Sequence, residues 1–135
     1  MAEALLSAAV ADHGADVTVS SAGIGAWDGA PASEGAYLVA LEHGLDLSAH
    51  RARTLTREMV AEADLILTMS DHHRARVAEL GGENKAHVLG EYAGRAAQPN
   101  VSDPFGGDLA SYRATFTELE ELVGRVASRL AGRVA

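Results

Sequence analysis

The amino-acid sequence predicts an α/β fold, with a parallel sheet and helices on both faces, in a single domain that spans residues 1–135. Helical and strand patterns alternate along the chain, which is typical of this class. Residues 64–69 are almost continuously apolar, as expected for a strand that is covered on both faces. Residues 108–130 carry apolar side chains at intervals of three and four, which indicates an amphipathic helix.

Helix signals recur along the whole chain. Periodicity and capping residues predict helices near residues 1–13, 33–42, 56–63, 70–81 and 108–130. Gly14 is expected to end the first helix, Thr56 to cap the third, and Ser70 or Asp71 to begin the fourth.

Strand signals lie between these helices. Alternating or continuous apolar residues predict strands at residues 16–21, 64–69 and 86–89. Because helices separate the strands, the connections are expected to be crossovers and the sheet parallel.

The composition excludes several classes of protein. The chain carries 11 basic and 19 acidic residues for a formal net charge of -8, which argues against a nucleic-acid partner. Hydrophobic residues make up 47%, too many for a disordered chain. The 135 residues include no cysteine, which excludes a disulfide scaffold, a thiolate metal site and a cysteine nucleophile among them.

No targeting or membrane signal is found in the sequence. Residues 1–6 open with an acidic side chain, whereas a secretory signal begins with a basic region. The apolar runs are far shorter than the roughly 20 residues of a membrane helix. We therefore expect a cytoplasmic protein with no membrane partner.

Most motifs for metals and nucleotides are absent from the sequence. It has no phosphate-binding G-x-x-x-x-G-K-[ST] and no G-x-S-x-G elbow. Asp71-His72-His73 is a weak metal candidate, because adjacent helical residues point about 100° apart. We predict no metal and no cofactor.

Two segments leave alternatives open. His50-Arg51-Ala52-Arg53 is either an anion clamp or a surface loop with paired charges. Asp103, which is followed by Pro104, is either a positioned general acid or part of a simple turn.

Five segments, in order, resemble the low-molecular-weight protein tyrosine phosphatase family nearly from end to end. They are Met1-Ala2-Glu3-Ala4-Leu5, Ser21-Ala22-Gly23 with Trp27 downstream, residues 44–53, Ala63-Asp64-Leu65-Ile66-Leu67-Thr68-Met69, and Ser102-Asp103-Pro104-Phe105-Gly106-Gly107. In that family a cysteine thiolate attacks phosphorus from a Cys-x5-Arg loop, and an aspartate serves as acid and then base.

The resemblance implies roles for six residues of this chain. Asp103 corresponds to the acid–base residue, and Trp27 and Phe105 correspond to walls of the pocket. The loop-supporting positions correspond to Glu3, Ser21 and His50. The implied partner is a phosphorylated protein substrate.

The chain departs from the family pattern at its start. The resemblance places the first, central strand and the Cys-x5-Arg loop immediately before Met1, so we expect an N-terminally incomplete domain that lacks both and is inactive as given. The exposed strand edges would favour self-association. The alternative is a non-catalytic, phosphatase-like binding or regulatory protein.

The substrate is expected to be phosphotyrosine or phosphoarginine. Phe105 followed by two glycines, together with residues 109–123, is similar to the bacterial protein-arginine phosphatases of this family.

Overall fold

The computed structural model describes residues 1–14, 16–24, 27–95, 98–104 and 106–134, and the side chains up to residue 131. Its helices are α1 (Ala2–Asp12), α2 (Glu34–Glu42), α3 (Arg57–Glu62), α4 (Asp71–Val77), α5 (Leu89–Tyr92) and α6 (Leu109–Val134). Its strands are β1 (Ile66–Thr68) and β2 (Ala86–Val88). Ala78–Gly82 continues α4 as a turn that is kinked at Gly81, where φ is 99°.

Side-chain caps begin two of the helices at the predicted residues. The Thr56 hydroxyl accepts a hydrogen bond from the Met59 amide at 3.2 Å, and the Ser70 hydroxyl accepts one from the His73 amide at 3.3 Å. Each bond satisfies an amide that the first helical turn leaves without a partner. Gly14 follows α1 with a φ of 68°, a conformation that favours glycine. The predicted starts of α3 and α4 and the end of α1 are confirmed.

The two strands form a parallel pair, which confirms the α/β class. Ile66 lies opposite Ala86 and Thr68 opposite Val88, with α4 and the kinked turn that follows it in the connection between the strands. A helical connection of this kind is the usual way to bring consecutive strands into parallel register.

The strand predicted at residues 16–21 is wrong, because the described part of this segment has no strand ladder. Alternation of Val17 and Val19 with polar residues indicates which side chains share a face. A strand additionally needs a hydrogen-bonding neighbour, which local alternation does not provide. The short helix α5 was not predicted, and α6 extends beyond the predicted end to Val134.

The chain divides into two compact units, and the single domain remains a prediction. The first unit comprises Met1–Ser21, Pro31–Arg51 and Asp103–Ala135. In it, α1 and α2 both pack against α6. Its buried apolar side chains include Leu5, Val10, Val39, Ala40, Phe116, Leu119, Leu122, Val123 and Val126.

The second unit comprises Ala22–Ala30 and Ala52–Ser102. Val60 of α3, Val77 of α4 and Ala86 of β2 form a buried cluster. Leu55, Ile66 and Leu80 pack against that cluster. Among the described residues, the structure contains no helix that is both long and apolar enough to cross a bilayer.

Candidate active site

Three of the predicted site residues meet in the first unit. The Ser21 hydroxyl donates a hydrogen bond of 3.0 Å to the Glu3 carboxylate. The second oxygen of that carboxylate lies 3.9 Å from Nδ1 of His50, an electrostatic contact that is too long for a hydrogen bond. We call Glu3, Ser21 and His50 the support cluster. One carboxylate therefore joins residues that are 18 and 47 positions away along the sequence.

Different elements bring the support cluster together. Glu3 lies in the first turn of α1, where a negative charge is favourable. His50 follows α2 in a turn, in which its amide donates to the Leu47 carbonyl at 3.1 Å. The Asp46 carboxylate accepts from the Ser48 amide at 2.9 Å within the same segment. The Glu3 and His50 side chains are about one-third exposed, at 34% and 30%, so the cluster remains accessible at the surface.

Asp103 lies at the start of a tight turn, also in the first unit. The Gly107 amide donates to the Pro104 carbonyl at 2.7 Å, and Gly106 has a φ of 80° in the region that favours glycine. We call Asp103, Pro104, Gly106 and Gly107 the acid turn. Asp103 is exposed. A carboxylate at this position is accessible for proton transfer to a substrate.

The acid turn leads directly into α6, whose first turn is capped by Asp108. One oxygen of its carboxylate accepts from the Ser111 amide at 2.8 Å and from the Ser111 hydroxyl at 2.9 Å. The Ser111 amide, and then its hydroxyl, hold the pKa of Asp108 below its ordinary value. Asp108 therefore acts as a charged helix cap.

Trp27 lies on a loop of the second unit that is hydrogen-bonded at both ends. Gly23 forms a parallel bridge with Thr54, and the Gly29 amide donates to the Ala52 carbonyl at 2.8 Å. The Trp27 side chain is 84% exposed, the highest value among the exposed large hydrophobic residues. A large apolar ring on a tethered loop is suited to contact a substrate. Its predicted role as a pocket wall remains a prediction.

The sequence also suggested Phe105, the segment around Arg51 and a weak metal site as candidates. Phe105 lies outside the described residues. The Arg51 guanidinium donates to the carbonyls of Ser48 and His50 at 3.1 and 2.7 Å, so it is engaged by its own loop. In the described part of the chain, no group of three or more His, Asp or Glu residues could hold a metal ion.

Sequence reasoning missed two polar side chains that hold loops of the second unit. The Asp28 carboxylate accepts from the Thr54 amide at 2.7 Å and tethers the Trp27 loop. The Asn100 side chain accepts from the Asp71 amide at 3.1 Å, at the start of α4. Asp28 is followed by Gly29, a turn dipeptide that could have identified it, whereas Asn100 lacks a comparable local signal.

Comparison with known sequences identifies relatives over almost the whole chain. Residues 1–135 match the family model described as "Low molecular weight phosphotyrosine protein phosphatase". The chain is 36% identical over 132 residues to a protein-arginine-phosphatase of Bacillus subtilis, covering 96% of this chain and 87% of that protein. It is 34% identical over 112 residues to the low molecular weight protein-tyrosine-phosphatase PtpB of Staphylococcus haemolyticus, covering 82% and 78%.

Solved structures agree with these sequence matches. A serine-for-cysteine mutant of the YwlE arginine phosphatase, with a phosphorylated active-site serine, superimposes with a TM-score of 0.90 at 35% identity. That match covers 96% of this chain and 85% of the other. A low molecular weight protein tyrosine phosphatase from T. tengcongensis has a TM-score of 0.87 at 34% identity, with coverage of 95% and 88%.

Proposed function

Because the chain belongs to the low molecular weight phosphotyrosine protein phosphatase family, we propose that it serves in the removal of phosphate groups from proteins, with Asp103 as the acid and base. The cytoplasmic location remains a prediction. The 135 residues contain no cysteine, so we expect the 135-residue polypeptide by itself to release no phosphate from such substrates.

In the proposed reaction, the thiolate of a cysteine that these 135 residues do not include attacks phosphorus and forms a phosphorus–sulfur bond. The bond from phosphorus to the leaving oxygen or nitrogen breaks. Protonated Asp103 gives its proton to that leaving atom and becomes a carboxylate. The carboxylate then takes a proton from water, whose oxygen attacks phosphorus and breaks the phosphorus–sulfur bond. Inorganic phosphate leaves, and the thiolate and protonated Asp103 are regenerated.

The observation that carries this proposal is the support cluster. Glu3 contacts both Ser21 and His50, although the three residues come from separate segments of the chain. This arrangement agrees with the role that the family resemblance implies, in which the three residues hold a phosphate-binding loop. Partly exposed charged and polar groups such as these three stabilise the fold only weakly, so a functional role accounts better for the presence of the cluster.

Phosphoarginine is the substrate that we favour within this family. Two of the sequence relatives are named protein-arginine-phosphatases, from Bacillus subtilis and Geobacillus stearothermophilus. The guanidinium group left after dephosphorylation is a cation, which a carboxylate such as Asp103 attracts and an aromatic ring such as Phe105 can stack against. Phosphotyrosine remains the second candidate, because the family also includes relatives named for that activity.

A fusion tests the proposal by adding a cysteine nucleophile to these 135 residues. The strand and Cys-x5-Arg loop of the Bacillus subtilis relative would be placed before Met1, and release of phosphate from phosphoarginine and phosphotyrosine peptides would be measured. We expect turnover by the fusion and none by the 135-residue polypeptide. The same fusion with serine in place of the added cysteine is the control, and it should be inactive.

A second fusion separates the contribution of the loop from that of this chain. It carries the corresponding segment of the Staphylococcus haemolyticus tyrosine phosphatase. If these 135 residues favour phosphoarginine, both fusions should prefer the phosphoarginine peptide; a preference that follows the added loop would refute that part of the proposal.

The competing hypothesis is a non-catalytic protein that binds phosphorylated partners or regulates a phosphatase. It predicts that both fusions fold, as judged by cooperative thermal unfolding, and yet hydrolyse neither peptide. That result would refute the proposed catalytic function.

A further inference from the structure

Gly107 ends the acid turn two residues before α6 begins, and its surroundings leave no room for a side chain. A Cβ atom at this position would lie 2.8 Å from the Pro104 carbonyl oxygen and 3.2 Å from Cβ of Ser111. The nearer of these neighbours is a backbone atom, which cannot rotate away as the end of a side chain can. Any residue larger than glycine would therefore push Pro104, and with it the adjacent Asp103, out of place.

Ser111 is the second neighbour that a side chain at position 107 would meet, and it is held in position. Its hydroxyl and its amide both donate to the same oxygen of Asp108, at 2.9 and 2.8 Å. The hydroxyl would lie only 3.4 Å from a Cβ atom at Gly107. A side chain at position 107 would thus be confined between Ser111 and the carbonyl of Pro104, the residue that follows Asp103.

We propose that Gly107 is a positioning residue for the Asp103 carboxyl group. This inference rests on the proposed function, since it concerns the acid of that reaction. The Gly107 amide donates to the Pro104 carbonyl at 2.7 Å, and a Cβ atom on Gly107 would crowd that same carbonyl. Glycine at this position therefore keeps Pro104, and the adjacent Asp103, in place.

The first test compares Gly107→Ala with Gly124→Ala in the active fusion. Gly124 lies within α6 and would place a Cβ atom in open space, so it is a matched control on the same helix. Because displacement of a reacting group by about 1 Å can cost about 100-fold, we expect Gly107→Ala to lower kcat on phenyl phosphate at least about tenfold. Gly124→Ala should leave kcat unchanged.

The choice of leaving group distinguishes a displaced acid from a general loss of activity. p-Nitrophenolate leaves readily without protonation, whereas phenolate needs the proton of an acid. Gly107→Ala should therefore lower kcat/KM more for phenyl phosphate than for p-nitrophenyl phosphate, because kcat/KM reports the step in which the leaving group departs. Equal losses on both substrates would overturn the proposal.

A double variant tests whether the effect passes through Asp103. When Asp103→Asn is already present, adding Gly107→Ala should cause no further loss, because the displaced group no longer supplies a proton. If the two losses multiply instead, Gly107 acts independently of the acid and the inference is wrong.

A measurement without catalysis keeps this inference distinct from the proposed function. In the amide spectrum of the 135-residue polypeptide, Gly107→Ala should shift the resonance of Asp103 and Gly124→Ala should not. If the fusion has no turnover, the proposed function and the catalytic role both fall, whatever the spectrum shows. If the resonance of Asp103 does not move, the positioning contact itself is refuted.

Discussion

The support cluster and the acid turn are built in opposite ways. Glu3, Ser21 and His50 come from three separate segments, and only the folded chain brings the carboxylate to its two partners. The acid turn and its cap occupy residues 103–111 and are joined by hydrogen bonds between near neighbours in sequence. The cluster therefore depends on the packing of the first unit, whereas the turn depends on local geometry. Variants of the support cluster and variants of the acid turn should therefore lose activity for different reasons.

The largest effect is expected from removing the acid itself. Asp103→Asn in the active fusion deletes the proton donor, and general acid–base groups typically contribute about 10²- to 10⁴-fold to the rate. Phosphate release from a phosphoarginine peptide at neutral pH should fall by that amount. Asp64→Asn, which changes an exposed carboxylate in the second unit, is the control and should retain full activity. Similar activity in both variants would remove Asp103 from the mechanism.

The support cluster should show a smaller, graded loss. Glu3→Ala removes both contacts, while Glu3→Gln keeps an oxygen for Ser21 and removes the charge that faces His50. Because the cluster acts by holding other groups in place, we expect about a tenfold lower kcat for Glu3→Ala and a smaller loss for Glu3→Gln. Glu79→Gln, in an exposed pair with Arg76, is the control. If Glu3→Ala were as active as this control, the support cluster would have no role in catalysis.

The close packing of α2 against α6 can be tested through stability alone. A Cβ atom at Gly35 would clash with the ring of Tyr112, which is only 5% exposed. Gly35→Ala should lower the free energy of unfolding by about 1 to 3 kcal/mol, the usual cost of overpacking. Gly124→Ala meets open space and should raise it slightly, since alanine favours helices. Thermal or urea unfolding of the 135-residue polypeptide measures both.

The smallest effect is expected from an exposed ion pair between the same two helices. Arg113 donates to both oxygens of Glu42, at 3.0 and 2.7 Å, and this interaction holds the pKa of Glu42 below its ordinary value. A lowered carboxyl pKa contributes stability at pH values above the ordinary pKa and loses it as the pH falls through the folded value.

Arg113→Gln should therefore lower Tm slightly at pH 7, and the difference from the unaltered chain should shrink below about pH 4. Arg125→Gln breaks a single contact with Glu121 within α6 and should have a still weaker effect. A difference in Tm that stays constant across this pH range would contradict the assignment to Glu42.

Local residue chemistry predicted those parts of the fold in which neighbours in sequence decide the structure. Thr56 was predicted as a cap, and Ser70 as one of two possible starts of α4, because a hydroxyl before a helix satisfies a free amide within three residues. The strand expected at residues 16–21 failed because a ladder needs a partner segment, and alternation of Val17 and Val19 does not specify one.

Prediction of the candidate site from the sequence has the same limit, because local rules do not join distant residues. Contacts among Glu3, Ser21 and His50 could be anticipated only through a family resemblance, since no local rule joins positions so far apart. Asp108 could have been recognised as a cap from its place before α6. The lack of room for a side chain at Gly107 could not, because it depends on where the fold places the Pro104 carbonyl and the Ser111 side chain.

The leaving-group dependence of kcat/KM in the active fusion tests the central claim most directly. With Asp103 present, protonation of the departing group should make kcat/KM similar for phenyl phosphate and p-nitrophenyl phosphate. With Asp103→Asn, kcat/KM should fall far more for phenyl phosphate, because phenolate then leaves without a proton. The same ratio between the two substrates in both proteins would contradict the claim that this chain supplies the acid of a protein phosphatase.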